Sequence, residues 1–534
     1  MRKLLLSTLI LAQAVGLGAL FAQTPTVREH TLKNGMKVLL VERHDEPTIA
    51  CGWVARVGSS NERPGITGLA HLFEHMMFKG TKTIGTKDAA RDAELNALQD
   101  KVQAGIRAEM NLLREKQRRG EIASMMDPAA RTPKLQGLLD EFDRLVKEQR
   151  DLIVKDEIWQ LYQAAGSTGL NANTSQDRTF YIISLPSNKL ELWALIESDR
   201  LMNPVFREFY SERNVVMEER RQTLESRPDG LISEAYNSMT WIASPYSWQV
   251  IGWPSDITQV TREQANEFFA TYYAPNNITA ILVGDFKSDA AIALMEKYFA
   301  RIPANPKGVP EIVTEEPPQP AEQRMIAQAE TSPYIQITFK TVPAVHKDAP
   351  ALSALASILS GGQGAMGMGR FGGGGRAAGR LGKSMVLDQK AAISAMAFSR
   401  GQKLGGSFTF RAMPVPGQGP DTLEPLIHAE IQKIAQNGIT DEELARAKNA
   451  AQMGFYLMQE SNVGLRSVLA EAEAVGSYRD YLDSLPKIQA VTKDDVQRVA
   501  RKYLVKELGN VLITTRAARA PRPDQAAAQV KEVK

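Results

Sequence analysis

The sequence predicts an α+β protein of two similar halves, each a sheet packed with helices, the first half interrupted by a long helical hairpin. Three observations predict it. The first is an internal repeat. "TREQANEFFATYYAPNNITAILVGDF" (261–286) and "TKDDVQRVARKYLVKELGNVLITT" (492–515) each read as a Thr-capped helix, a tyrosine eleven residues after that cap, a turn and an apolar strand. The second is a fainter match of "RPGITGLAHLFEHM" with "APALSALASILSGG", which sets Pro64 against Pro350. The two offsets are 231 and 286 residues, so one fold copied twice needs roughly 55 extra residues in the first copy. The third observation locates that surplus in residues 88–165. There Leu95, Leu98, Val102, Ile106, Met110 and Leu113 recur at helical spacing, as do Leu135, Leu138, Phe142, Leu145 and Leu152. Pro128 and Pro133 in "MMDPAARTP" break the helix between them.

The elements follow in chain order. At 534 residues the chain exceeds one hydrophobic core. Residues 1–22 carry Arg2 and Lys3 ahead of an apolar run that ends in "GALFA", which reads as a cleavable signal peptide and places the mature chain in a periplasm or outside the cell. Residues 27–300 form the first domain, with the hairpin inserted at 88–165. Residues 301–324 are the linker, rich in proline. Residues 325–516 form the second domain. The tail, 517–534, is expected to be disordered. No later segment reaches transmembrane length, so no stable membrane span is expected. The single cysteine, Cys51, excludes an internal disulfide and sits in the alternating strand "TIACGWVARVG", where it reads as a small buried hydrophobe. A net charge of +3, with no basic stretch interleaved with aromatics, gives no reason to invoke nucleic acid.

The chemistry concentrates in "GLAHLFEHMMFKG" (68–80). Residues four apart on a helix share a face, so His71 and His75 can present both imidazoles to one ion, with Glu74 beside them in reach of a water held there. Thr67 is the expected cap and Gly80 the end signal. Leu69, Leu72, Phe73, Met76, Met77 and Phe78 cover the other faces, so the helix is buried. Two histidines and a carboxylate in such a place are costly unless satisfied, and a cation satisfies all three. The alternative is the polar side of an ordinary buried helix. A catalytic zinc takes three protein ligands, so a third must come from elsewhere. "SERNVVMEERRQTLES" (211–226) offers Glu212 and Glu219, seven apart and on one face, with Glu218 about 100° away. Spacing alone leaves this level with a solvated acidic face.

These segments resemble the pitrilysin, insulin-degrading enzyme and mitochondrial processing peptidase family of inverzincin zinc metallopeptidases, as a half-length bacterial member. The reversed H-x-x-E-H motif carries the likeness, together with "TLKNGMKVLLVER", "GLNANTSQDRTFYIISLP" and "LMNPVFREFYSERNVVMEER". It is close to about residue 300 and looser beyond. The resemblance implies two α/β rolls with antiparallel-rich sheets. It implies one Zn2+ per chain on His71, His75 and Glu219, with Glu74 as general base and Glu212 supporting a histidine. It implies that Asn171 and Ala172 lie on an edge strand that takes peptide backbone by strand addition. The activity implied is hydrolysis of peptides or unfolded segments in a closed chamber.

In the second half, Ser357, Ser360 and Gly361 stand where His71, Glu74 and His75 stand in the first. The family's arginine and tyrosine fall on Val386 and Ile393, and neither can donate a side-chain hydrogen bond. A partner subunit supplying that pair is therefore expected, in a dimer that includes a related chain lacking the zinc motif. The loop 361–382 is rich in glycine but does not match the spacing of a phosphate loop, since Ala377 stands where G-x-x-x-x-G-K-[ST] needs its first glycine, so no nucleotide is expected. The alternative to an enzyme is a structural or peptide-binding subunit of a peptidase-like complex.

Overall fold

The computed structural model describes residues 25–361 and 379–516. The expected signal peptide, most of the Gly-rich loop and the expected tail lie outside the described residues.

Two sheets form the frame. The first contains β1 (Arg28–Thr31), β2 (Lys37–Glu42), β3 (Thr48–Ala55), β4 (Thr168–Thr174), β5 (Thr179–Pro186) and β6 (Ile278–Gly284), in the order β1-β2-β6-β3-β5-β4. The second contains β7 (Gln323–Ala329), β8 (Tyr334–Thr341), β9 (Ala392–Gly401), β10 (Gly406–Pro414) and β11 (Asn510–Arg516), in the order β7-β11-β8-β10-β9. Removing β1 leaves one topology drawn twice. In each sheet a single parallel pair, β2·β6 or β7·β11, is followed by antiparallel neighbours. The repeat read from the sequence is therefore a repeat of fold.

Strand β6, "ITAILVG", is apolar without alternation because it is covered on both faces. Ile278, Ala280 and Leu282 belong to the main core of the first half, while Ile281 and Val283 face a second cluster on the opposite side. Cys51, fully buried in β3, is a small apolar side chain of the same main core.

Helix α1 (Leu69–Met76) packs under β4 and β5. The hairpin consists of α2 (Ala89–Arg118) and α3 (Pro133–Leu152). Asp88 caps the first, and Thr132 caps the second with Pro133 at its first position. The hairpin is shorter than 88–165: Ile153 ends it, and Glu157–Ala164 is a separate short helix. Its distal part buries Ile106, Leu113 and Leu135 against itself. Its base keeps part of the expected stripe, with Leu95 and Leu145 buried, but adds polar groups. Leu98 faces solvent, while Asp92, Gln99 and Gln103 are buried. The reason is docking: Asp92 lies 2.7 Å from Arg207 Nε, and Arg262 donates to the Asn96 carbonyl at 2.8 Å.

Helix α4 (Phe209–Arg220) runs against α1, and α5 (Gly230–Thr240) follows it. In the second half, α6 (Ala349–Ser360) is the counterpart of α1. Helix α7 (Asn462–Val475) belongs to the second half by sequence but lies on the first sheet. Its Leu465, Leu469, Ala470 and Ala474 close over Leu39, Val54, Phe180 and Ile281. The exchange is reciprocal: Tyr236 of α5 packs on Tyr334 and Leu512 of the second sheet.

Candidate metal centre

The centre begins with how α1 starts. Gly68 adopts φ 87°, and a Cβ there would stand 2.5 Å from the Ile251 carbonyl oxygen, so only glycine fits. Thr67 is not the cap. Its hydroxyl donates to Asp256 at 2.7 Å and accepts the Trp253 N–H, so it serves a neighbouring loop. The free N–H groups of Gly68 and Ala70 donate instead to Glu62, at 2.9 and 2.7 Å. Gly80, with φ 100°, lies beyond the helix end at Met76 rather than forming its cap.

The one-turn separation on α1 brings the His71 and His75 rings to 4.9 Å between centroids, at 82° to each other. Helix α4 presents Glu219 to both. Its oxygens lie 3.6 Å from His71 Nε2 and 3.4 Å from His75 Nε2. One ligand atom from each of the three residues falls within 4.8 Å of the others. Glu212, two turns earlier, lies 2.9 Å from His75 Nδ1, and its other oxygen lies 2.7 Å from Lys79 Nζ. Glu218 points away and pairs with Arg221 on the surface.

The donor chemistry fits a divalent cation. The Glu212 bond places the proton of neutral His75 on Nδ1, so Nε2 presents a lone pair to the Glu219 carboxylate. Burial, and then the charge of His75, lowers His71 to about 4, which keeps its imidazole neutral and able to ligate. Burial opposes charge on His75 too, but Glu212, Glu219 and Glu74 together hold it above the ordinary histidine value. With His75 neutral, as ligation requires, three acceptors converge at one point, and a divalent cation would relieve them in place of a proton.

Glu74 sits on the same helix with its carboxyl raised, chiefly by burial, although Thr174 and His75 oppose the rise. The Thr174 hydroxyl donates to Glu74 Oε2 at 2.7 Å. Thr174 ends β4, the outer strand of its sheet, which among the described residues pairs only with β5. Asn171 and Ala172 lie on this strand, just after a bulge between Thr168 and Asn171. Asn171 is exposed and Ala172 buried, and the Ala172 N–H donates to Asn171 Oδ1 at 2.9 Å. Sequence reasoning missed Thr174, Lys79 and Glu62. None has a spacing rule, and Thr174 meets Glu74 only because the sheet folds over α1.

The second half has no such cluster among its described residues. Ser360, the counterpart of Glu74, donates to the Ala397 carbonyl and accepts its N–H, both at 2.6 Å, so it staples α6 to β9. Val386 lies in a π-helical turn (Gly382–Asp388), and Ile393 is exposed on β9.

Comparison with known proteins agrees with this division. A family model described as Insulinase (Peptidase family M16) matches residues 37–159. A second, the Peptidase M16 inactive domain, matches residues 259–451, beyond all three ligand candidates. The chain is 26% identical over 483 residues to the zinc protease PqqE of Helicobacter pylori, covering 89% of each. A crystal structure of a protease from Helicobacter pylori superposes with a TM-score of 0.72 at 22% identity, over 92% of this chain and 100% of that one. The periplasmic protease PqqL from Escherichia coli gives a TM-score of 0.65 at 18% identity, and there 95% of this chain matches 50% of that one. With both M16 models laid along it in order, the chain belongs to peptidase family M16, whose named relatives are zinc proteases.

Proposed function

We propose that the chain is a zinc-dependent endopeptidase in which His71, His75 and Glu219 hold one Zn2+ and Glu74 is the general base. The observation that carries this reading is the convergence of the three ligand atoms within 4.8 Å, with Glu74 on the same helix. When bound, zinc supplies a positive charge that polarises a scissile carbonyl and acidifies water. The remaining steps belong to the chain. Glu212 fixes the ring of His75, and Lys79 fixes Glu212. Peptide backbone adds to the free edge of β4 at Asn171 and Ala172, where the Asn171 side chain releases the Ala172 N–H. Glu74 takes a proton from the attacking water and passes it to the leaving amine, and burial suits its carboxyl to both roles.

A non-catalytic role is not favoured for the first half, because the inactive-domain match begins at residue 259. It suits the second half, where Ser360 is engaged by the backbone. Val386 and Ile393 offer no donors for an oxyanion, so a related chain supplies the arginine and tyrosine and completes a closed chamber. The match to half the length of PqqL supports that pairing. A periplasmic or secreted site of action accords with the basic and apolar residues 1–22 and with the periplasmic neighbour. Among the described residues no helix is long and apolar enough to cross a membrane.

The test is metal content and peptide cleavage with Glu74→Gln. One zinc per chain is expected, with activity lost about 100- to 10,000-fold in the variant. Absence of zinc from the purified chain, or full activity of the variant, overturns the reading.

A further inference from the structure

The strand that borders the centre ends on the residue that touches the base. Thr174 and Glu74 are 100 residues apart in sequence, and their 2.7 Å bond exists only because β4 closes over α1. Thr174 is itself held. It pairs with Thr179 on β5, whose hydroxyl donates to the Val57 carbonyl at 2.9 Å. The turn that follows is closed by the Ser175 N–H donating to the Arg178 carbonyl at 2.8 Å. The N–H groups of Ser59 and Ser60 donate to the carbonyls of Ser175 and Gln176.

The same turn reaches into the second half. Asp177, only 5% exposed, accepts the Tyr246 hydroxyl at 2.8 Å and the Lys403 N–H at 3.1 Å. The Tyr246 oxygen accepts the Leu404 N–H at 2.9 Å. Lys403 and Leu404 form the turn between β9 and β10. The end of β4 is thus clasped from both halves, next to the carboxylate on which the chemistry turns.

We propose that Thr174 is the positioning residue of the catalytic base: its hydroxyl pins Oε2 of Glu74, leaving Oε1 for the water, and the Asp177–Tyr246 clasp to the second half holds Thr174 in place. This rests on the reading of Glu74 as base. A glutamate has three rotatable bonds, and a charge-assisted hydrogen bond at its tip removes the last freedom. Displacing a reacting group by about 1 Å costs on the order of 100-fold in rate. The inference also gives the ligand-free half a use: it buttresses the base through one turn.

The test compares Thr174→Val, Thr174→Ser and Tyr246→Phe with wild type and Glu74→Gln, in the full zinc-loaded chain within its active assembly. Thr174→Val should lower kcat about 10- to 100-fold, with KM within about twofold and zinc content unchanged. Thr174→Ser, which keeps the donor, should recover most of the loss, and Tyr246→Phe should lower kcat without moving KM. A crystal structure of Thr174→Val should show the Glu74 carboxylate turned from its wild-type position. Wild-type kcat in Thr174→Val alongside an inactive Glu74→Gln, or an unmoved carboxylate in the crystal, overturns the inference alone. An active Glu74→Gln overturns the base assignment and the inference with it.

Discussion

The Nδ1 of His75 lies 2.9 Å from a carboxylate oxygen of Glu212, and the other oxygen of that carboxylate lies 2.7 Å from Lys79. Such an outer partner sets ring orientation and ligand basicity. Glu212→Gln is therefore expected to weaken zinc binding about 10- to 100-fold, as read by competition with a chromogenic chelator. Glu218→Gln, on the surface of the same helix, should leave the affinity unchanged.

Removing the metal leaves His71, His75 and Glu219 as converging acceptors. Zinc at about 100 times its Kd should add about 2.7 kcal/mol to stability. For a chain this long that is a rise of a few degrees in Tm, measured by calorimetry with and without chelator. Glu219→Ala should abolish the zinc-dependent rise while leaving the Tm of the metal-free chain within about 1 °C.

A prediction in pH concerns Glu473, fully buried where α7 meets the first sheet. Burial alone would raise its carboxyl, but the Tyr478 N–H, Lys37 at 3.0 Å and Arg56 at 2.6 Å hold it below the ordinary value. A lowered folded pKa contributes stability that is complete above the unfolded value, about 4.3, and is lost as pH falls through the folded value. Glu473→Gln should therefore cost about 2 kcal/mol in urea unfolding at pH 7. The gap to wild type should shrink only below about pH 4.

Leu469, fully buried, comes from the second half yet packs with Leu39, Phe180 and Ile281 of the first. Leu469→Ala should cost about 2–5 kcal/mol. Because the contact crosses between halves, probes placed in either sheet should report the same shifted unfolding midpoint. Leu112→Ala, at a site 58% exposed on the hairpin, should stay within about 0.5 kcal/mol.

Much of this was legible in the sequence because it depends on local period. The four-residue step from His71 to His75 and the seven-residue step from Glu212 to Glu219 each fix a shared helix face. They also separate Glu219 from Glu218 without knowledge of the fold. The repeat was legible because capped helix and apolar strand recur in the same order. What period cannot carry is contact between distant segments. Thr67 looked like a cap, yet Glu62 reaches the helix from six residues before Gly68. Leu98 looked like core, yet the hairpin base docks through Asp92 and Gln99 because Arg207 and Arg262 wait there. Thr174 had no pattern at all, since its partner lies on a helix beneath the sheet, 100 residues away. Nothing in the sequence of α7 says which sheet it covers.

That last feature governs what a cut would do. Residues 303–322, which join the halves, run without helix or strand. A protease that severed them would break the covalent thread and little else, since α5 would stay seated on the far sheet and α7 on the near one. The nicked molecule should migrate as two bands under denaturing electrophoresis and as a single species in gel filtration. Either fragment made alone would present a bare apolar sheet face and precipitate, whereas the two made together should find each other.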